Sequence, residues 1–342
     1  VLPSPRPRPP VMADVAKEAG VSHQTVSRVL NGHPNVRADT RARVEEAITR
    51  LGYRRNLVAR ALVTKRSRTL GVVSFDTTLY GPASMVFGIE QAARTAGYFV
   101  SIVSLKSIDA AGVRDALDYL AEQSVDGVVV VAPQRSAASA LDSLPAGVPA
   151  VVVEGAHGAD VSAVCIDQVE GARLATRHLL DLGHETVWHV TGPADWLETE
   201  GRVEGWRSAL EQAGRPVPEP LAGDWSPRAG YEAGKRLARM DGVTAVFAAN
   251  DQMALGVLRA LSEAGVPVPG RISVVGFDDI PESEFFSPPL TTVRQDFDVV
   301  GRHCIEVLLR QIDAGPAAYE RMVVRPSFVV RSSTAPAAAP AW

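Results

Sequence analysis

His23, Gln24 and Arg28 stand where one turn of helix would bring them to a common solvated face, since Gln24 and Arg28 are four residues apart. Gln and Arg are the side chains whose paired donors and acceptors match the edges of adenine and guanine in the major groove. The stretch around them, ADVAKEAGVSHQTVSRVLN (13–31), supplies the scaffold that such a face needs. Residues 13–19 read as a short helix with Val15, Ala16 and Ala19 as its apolar stripe. Gly20 lets the chain turn, Val21 plugs the turn, and Ser22 is a natural N-cap for the second helix. Val26, Val29 and Leu30 then point back at the first helix. This is the pattern of a helix-turn-helix; an ordinary helical hairpin with a polar outside is the alternative.

Charge separates these residues from the rest. Residues 1–68 carry 14 Lys/Arg against 5 Asp/Glu, a net of +9, whereas the remainder carries 21 against 34 in a chain of net −4. A basic head on an acidic body places phosphate contact in the head alone. Nothing pairs a Ser or Cys nucleophile with His in a recognisable elbow, and no GKS or GxGxxG loop follows a strand, so the reading is not of an enzyme. The two cysteines, Cys165 and Cys304, are too few for a disulfide framework and lack zinc spacing. They read as packing residues, with no metal and no cofactor expected. No apolar run reaches membrane-spanning length, and VLPSPRPRPP has no apolar h-region, so residues 1–11 read as a disordered leader of a cytoplasmic, nucleoid-associated protein.

The elements behind the head follow from periodicity. A third helix is expected over 40–51, with Val44, Ala47, Ile48 and Leu51 on one face and Gly52 as its stop. Residues 54–68 carry Leu57, Val58, Ala61 and Leu62 at helical spacing, flanked by Arg54, Arg55, Arg60, Lys65 and Arg66. They are either a plain linker or a segment that folds only when DNA or a twin orders it. From Thr69 the texture changes to alternating strand and helix. Strands are expected at 70–75, 98–103, 126–132 and 149–153, with helices over 83–96 and 110–123 between them. A second series has helices at 168–182, 202–213, 229–240 and 250–264 and strands at 186–191, 244–249 and 271–277. A helix over 299–312 and a strand around 322–330 close the chain, and the Ala/Pro-rich end has no heptad for a coiled coil. The fold class is therefore α/β: an all-α helix-turn-helix head and two doubly wound α/β lobes with a ligand cleft between them.

Five segments give this order a family likeness: AGVSHQTVSRVLN, NLVARAL, NDQMALG (250–256), ISVVGFDD (272–279) and PPLTTVRQDF (288–297). Together they resemble the LacI/GalR family of bacterial transcription repressors over nearly the whole chain. GDWS (223–226) and the QDF after the last crossover are similar to its lactose-repressor branch. The resemblance implies a head over 12–53, a hinge helix over 54–68 and a core like a periplasmic sugar-binding protein. The N-terminal lobe would take 69–165 and 293–321, the C-terminal lobe 166–292 and 322–332, and 333–342 would be a disordered tail. It implies a homodimer on double-stranded, pseudo-palindromic operator DNA, without a membrane partner.

Residue by residue, the resemblance makes His23, Gln24 and Arg28 base readers and puts Ser22, Thr25 and Asn31 in the DNA-binding set. It adds Val58, Ala59 and Leu62 from the hinge, Leu62 as the apolar wedge at a central base step. For the effector it implies Leu79, Gly81, Pro82, Glu154, Arg202, Trp225, Asn250, Asp278, Gln295 and Phe297. Trp225 and Phe297 offer flat apolar faces to a pyranose, and the polar members offer donors and acceptors to its hydroxyls. A small neutral sugar, a β-galactoside or another glycoside, is the implied inducer. Trp225 as a core aromatic, Arg202 as a surface salt-bridge residue and one of Asp278 and Asp279 as a loop cap are the structural alternatives. In function, the alternatives are a purine- or metabolite-responsive repressor of the same fold and a sugar-binding transport protein.

Overall fold

The computed structural model describes residues 8–54, 66–105, 110–131, 133–135, 147–154, 161–315 and 319–337. It divides into two compact units, Val1–Ser67 and Arg68–Trp342.

The smaller unit holds α1 (Met12–Ala19), α2 (His23–Leu30) and α3 (Ala38–Leu51). Their apolar stripes meet in one small core of Val15, Ala16, Ala19, Val26, Val29, Val44, Ala47 and Tyr53. Gly20 takes the left-handed conformation (φ 63°) after α1, where a side chain would be strained. Val11 lacks a polar cap, but its N–H is taken by the Asp14 carboxylate at 2.9 Å.

The larger unit is built on two six-stranded sheets. The first comprises β1 (Thr69–Phe75), β2 (Phe99–Leu105), β3 (Gly127–Val131), β4 (Ala150–Val153), β5 (Ser162–Ile166) and β11 (Arg321–Val324). Its order is β11-β5-β4-β3-β1-β2, and every neighbouring pair is parallel. The second comprises β6 (Trp188–Thr191), β7 (Leu221–Ala222), β8 (Ala245–Ala248), β9 (Ser273–Asp278), β10 (Thr291–Arg294) and β12 (Ser327–Val329), in the order β12-β10-β9-β8-β6-β7. Only the β10–β12 pair is antiparallel. The interior strands β3, β4, β5 and β8 are short, mostly apolar runs buried on both faces, as parallel sheets require, whereas the edge strands β2, β11 and β12 are partly exposed. The intervening helices are α4 (Tyr80–Thr95), α5 (Ala110–Glu122), α6 (Gln168–Asp181), α7 (Leu197–Gln212), α8 (Pro227–Arg239), α9 (Asp251–Glu263) and α10 (Phe297–Ala314).

In both sheets the chain order reverses beside the first strand, so the loops leaving the carboxyl ends of β1, β3 and β4 face those leaving β6, β8 and β9. Close backbone approach sets the walls. A Cβ on Gly88 of α4 would meet the Phe297 carbonyl oxygen at 2.5 Å, so Gly88 lets α10 lie against α4 and brings Phe297 beside Tyr80.

The chain's end departs from expectation. The strand expected around 322–330 is two strands in different sheets, because Pro326 interrupts the ladder between β11 and β12. Consequently β11 carries 322–324 into the first lobe's sheet and not the second's, and β10 places 293–294 in the second lobe rather than the first. Residues 333–337, expected to be disordered, are packed: Ser333 is fully buried, its hydroxyl accepts the Thr291 N–H at 2.8 Å, and the Ala337 N–H reaches the Leu182 carbonyl. Small side chains let that segment lie flat on the sheet, which a polarity-based reading does not register.

Candidate functional site

Two sets of side chains carry chemistry, one in each unit. In the smaller unit, α2 starts on Ser22, whose hydroxyl accepts the Thr25 N–H at 3.2 Å and contacts the Thr25 hydroxyl at 2.9 Å. With Val26 and Val29 buried beneath, His23, Gln24 and Arg28 stand exposed on the outer face. Asn31 caps the far end and donates to the Ser27 hydroxyl at 3.3 Å. The N-terminal turn of α2 is thus a polar, sterically open edge of the size that enters a major groove. Val58, Ala59 and Leu62 lie outside the described residues.

In the larger unit, a cavity of about 270 Å³ lies at the strand ends, and Leu79, Gly81, Pro82, Glu154, Arg202, Trp225, Asn250, Asp278, Gln295 and Phe297 all line it. Leu79 precedes α4 and Gly81 and Pro82 form its first turn. Glu154 follows β4, Asp278 ends β9, Asn250 caps α9, and Phe297 opens α10. Residues more than 200 positions apart therefore meet because each ends or begins an element at the same edge of its sheet.

Arg202 organises the polar part. It is 4% exposed, and its Nε donates to Gln168 Oε1 at 2.9 Å. A second guanidinium N–H reaches the Ala249 carbonyl, and the third nitrogen lies 3.7 Å from Asp278 Oδ1. Its guanidinium also sits over the Phe277 ring at 3.8 Å and near the Trp225 ring at 5.3 Å. The chain continues from Gln168 Nε2 to Gln295 Oε1 (3.0 Å) and from Gln295 Nε2 to Asp278 Oδ1 (2.7 Å). Arg202 is therefore no surface salt-bridge residue. Asp279, in contrast, turns to Arg294 (2.5 Å) and Arg331 (2.7 Å) and ties the loop together, leaving Asp278 for the cavity. Below them the fully buried Asp251 accepts the Ile280 N–H and the Thr292 hydroxyl, which pins the ends of β9 and β10.

Three carboxyl groups share this low-dielectric space with one guanidinium. Burial pushes Glu154 up to about 7, opposed by the Ile166 N–H that it accepts at 2.8 Å and by Arg202. Asp278 is raised to about 6, again by burial, with Arg202 and Gln295 acting against it. Glu198 is raised to about 8 by burial and by the neighbouring Glu154 charge. Backbone strain accumulates at the same place: Glu154 (φ 56°), Trp225 (φ 71°), Asp278 (φ 109°) and Asp279 (φ 54°) all occupy the left-handed region. Each such residue costs about 1–3 kcal/mol, a strain that clusters at ligand sites.

The cavity also holds residues that sequence reasoning missed, chiefly Tyr80, Trp196 and Glu198. Trp196 packs edge-on against Trp225 (5.5 Å), so two indoles form part of the wall, and Phe75 backs Trp196 at 6.0 Å. The helix expected from 202 in fact begins at Leu197, five residues earlier, because Trp196 has no side-chain cap to announce it. Its start is instead held from the other lobe: the Leu197 N–H reaches the Pro133 carbonyl, the Arg135 N–H reaches the Asp195 carbonyl, and Arg135 pairs with Glu200 at 2.5 Å. The signal that was available is the WLETEGR spacing, which puts Glu198 one turn before Arg202. Among the described residues no cluster of His, Cys, Asp or Glu could hold a metal ion, and both cysteines are buried. No helix there is long and apolar enough to cross a membrane.

These two sites are those of a regulatory protein with a DNA-reading head and a small-molecule core. Residues 11–56 match the model of bacterial regulatory proteins of the lacI family, and residues 176–334 match a periplasmic binding protein-like domain. The chain is 34% identical to the lactose operon repressor of Escherichia coli (strain K12), over 96% of this chain and 91% of that one. It is 35% identical to the HTH-type transcriptional repressor PurR of Haemophilus influenzae, over 94% and 97%. Among solved structures, the Lac repressor dimer bound to operator and the anti-inducer ONPF superposes with a TM-score of 0.84 at 33% identity, covering 96% of this chain and 100% of that one. A complex of the transcriptional regulator CelR with cellobiose does so with a TM-score of 0.71 at 34% identity, covering 95% and 99%. The chain belongs to the lacI family of bacterial regulatory proteins and is a transcriptional repressor rather than an enzyme.

Proposed function

We propose that this repressor controls carbohydrate-utilisation genes in the cytoplasm, binds a pseudo-palindromic operator as a homodimer, and is released by a neutral glycoside held in the cavity. The observation that carries the sugar is the make-up of that cavity. The aromatic rings of Tyr80, Trp196, Trp225 and Phe297 line it together with carboxyl, amide and guanidinium groups, which is what the apolar and hydroxyl faces of a pyranose require. On DNA, His23, Gln24 and Arg28 read bases while Ser22, Thr25 and Asn31 position the helix on the backbone. The hinge residues Val58, Ala59 and Leu62 complete the set, with Leu62 wedged into the minor groove. A single three-helix head spans only a few base pairs, which is the physical reason for two.

The PurR relatives favour a second reading, a purine effector in the same cavity. Thermal unfolding of the full chain with lactose, cellobiose, ribose, hypoxanthine and guanine separates the two. A glycoside at a hundred times its dissociation constant is expected to stabilise by about 2.7 kcal/mol. Stabilisation by a purine and by none of the sugars would overturn the glycoside reading.

A further inference from the structure

Two polar atoms in the wall of the cavity are buried without a hydrogen-bond partner among the described residues: Glu198 Oε2 and Trp225 Nε1. Thr199 Oγ1, which does not line the cavity, is likewise unpaired beside them, while the polar groups of Asn250, Gln295, Gln168 and Glu154 are committed. Asn250 spends its amide on the Met253 N–H, the Trp225 carbonyl and Gln252. Gln295 and Gln168 hold each other, Asp278 and Arg202, and Glu154 holds the Ile166 N–H. A buried group left unpaired costs about 1–3 kcal/mol, so two beside one cavity mark where a ligand supplies the missing bonds.

The chemistry of the pair is complementary. A carboxylate oxygen accepts, and an indole N–H donates and cannot accept. The Trp225 ring is 7% exposed and fixed: it packs edge-on to Trp196, and Gly192 opposite leaves no Cβ to displace it. Glu198 is set by the first turn of α7, whose Leu197 N–H is tied to Pro133. Both groups are thus placed before any ligand arrives.

We infer that Glu198 and the Trp225 indole are a hydroxyl-reading pair, Glu198 accepting from and Trp225 donating to the ligand, and that they decide which glycoside binds. The inference rests on the glycoside reading above and deepens it. A hydroxyl both donates and accepts, so it satisfies the pair; an ammonium group leaves the indole N–H unanswered. Ionised Glu198 is the better acceptor, and the groups facing it are Glu154 after β4, Asp278 at the end of β9 and Arg202 on its own helix. Binding through Glu198 accordingly draws a proton off a carboxyl that burial and Glu154 keep protonated, and affinity rises as pH approaches about 8 and levels off above it.

The test uses the full chain, titrated calorimetrically with lactose and cellobiose and with the monodeoxy form of whichever binds, each hydroxyl removed in turn. Wild type is expected to disfavour one monodeoxy sugar by about tenfold or more at pH 8.5. Glu198→Ala loses that preference while still binding the sugar, Glu198→Gln restores part of it but not the rise with pH, and Trp225→Phe loses a smaller share. If Glu198→Ala and Trp225→Phe both keep the wild-type preference, the pair does not read the ligand and the inference is overturned. If neither sugar nor any other glycoside binds the wild type, the glycoside reading fails and takes this inference with it.

Discussion

The head and the cavity use opposite ways of making polar side chains specific. In the head, His23, Gln24 and Arg28 are solvated and unconstrained, and all precision comes from the small apolar core and the Ser22 cap beneath them. In the cavity, Arg202, Asp278, Gln168 and Gln295 are buried and hold one another, so each position depends on the rest. An exposed reader can be exchanged without disturbing its scaffold; a buried network cannot lose a member without stranding others. The head is therefore open to new operators by single substitutions, whereas changes in ligand choice must respect the network.

Breaking the network should give the largest effect. Arg202→Ala removes the cation beside Asp278 and the donor to Gln168 Oε1, leaving Gln295 alone to hold both, and is expected to destabilise the chain by about 3–5 kcal/mol, as loss of one member of a buried pair does. Chemical denaturation measures it, and a change within about 0.5 kcal/mol, as at an ordinary surface position, would show that the network is not cooperative. The same substitution should abolish effector binding.

Arg28→Ala probes the other side of the comparison. It should leave thermal stability near wild type and cost about 1–3 kcal/mol of operator binding per half-site, with preference relaxed at one base pair. Equal losses on operator and random duplexes would show that Arg28 touches only the backbone. Ser22→Ala, which removes the cap, is expected to cost about 1 kcal/mol of head stability. Differential scanning calorimetry of that variant checks it, an unchanged transition being the contrary result.

The smallest effect is one of pH. Glu154 and Glu198 have folded pKa values raised from 4.5 to about 7 and about 8, so between about pH 4.5 and 8 the folded chain holds protons that the unfolded chain has already lost. Stability must then fall as pH rises through that window. Glu198→Gln should flatten the fall in Tm, and an equal slope in wild type and variant would place the titration elsewhere.

The same contrast explains what was legible beforehand. Periodicity announces the head, because Val15, Ala16 and Ala19, then Val26, Val29 and Leu30, then Val44, Ala47 and Ile48 each fall at helical spacing within one helix. The alternating series of Val-rich strands announces the sheets. Periodicity missed strands where the signal was weak, two-residue β7 and the five residues of β5, and ran β11 and β12 together across Pro326. The cavity positions taken from the family resemblance do converge. Trp196 and Glu198 escaped notice because α7 begins without a polar cap and is anchored by a backbone bond from Pro133, a contact no local pattern encodes. The packed end around Ser333 escaped for the same reason.

In the proposed mechanism, occupancy of the cavity is coupled to operator affinity. The direct measurement is fluorescence anisotropy of the full chain on an operator selected from random duplexes, with and without the glycoside found by thermal unfolding. The sugar can shift the equilibrium only by its difference in affinity for the bound and released states. The expected result is weaker operator binding with sugar for wild type and no response for a variant that has lost effector binding. A sugar that binds the chain yet leaves operator affinity unchanged, or raises it, would contradict the account.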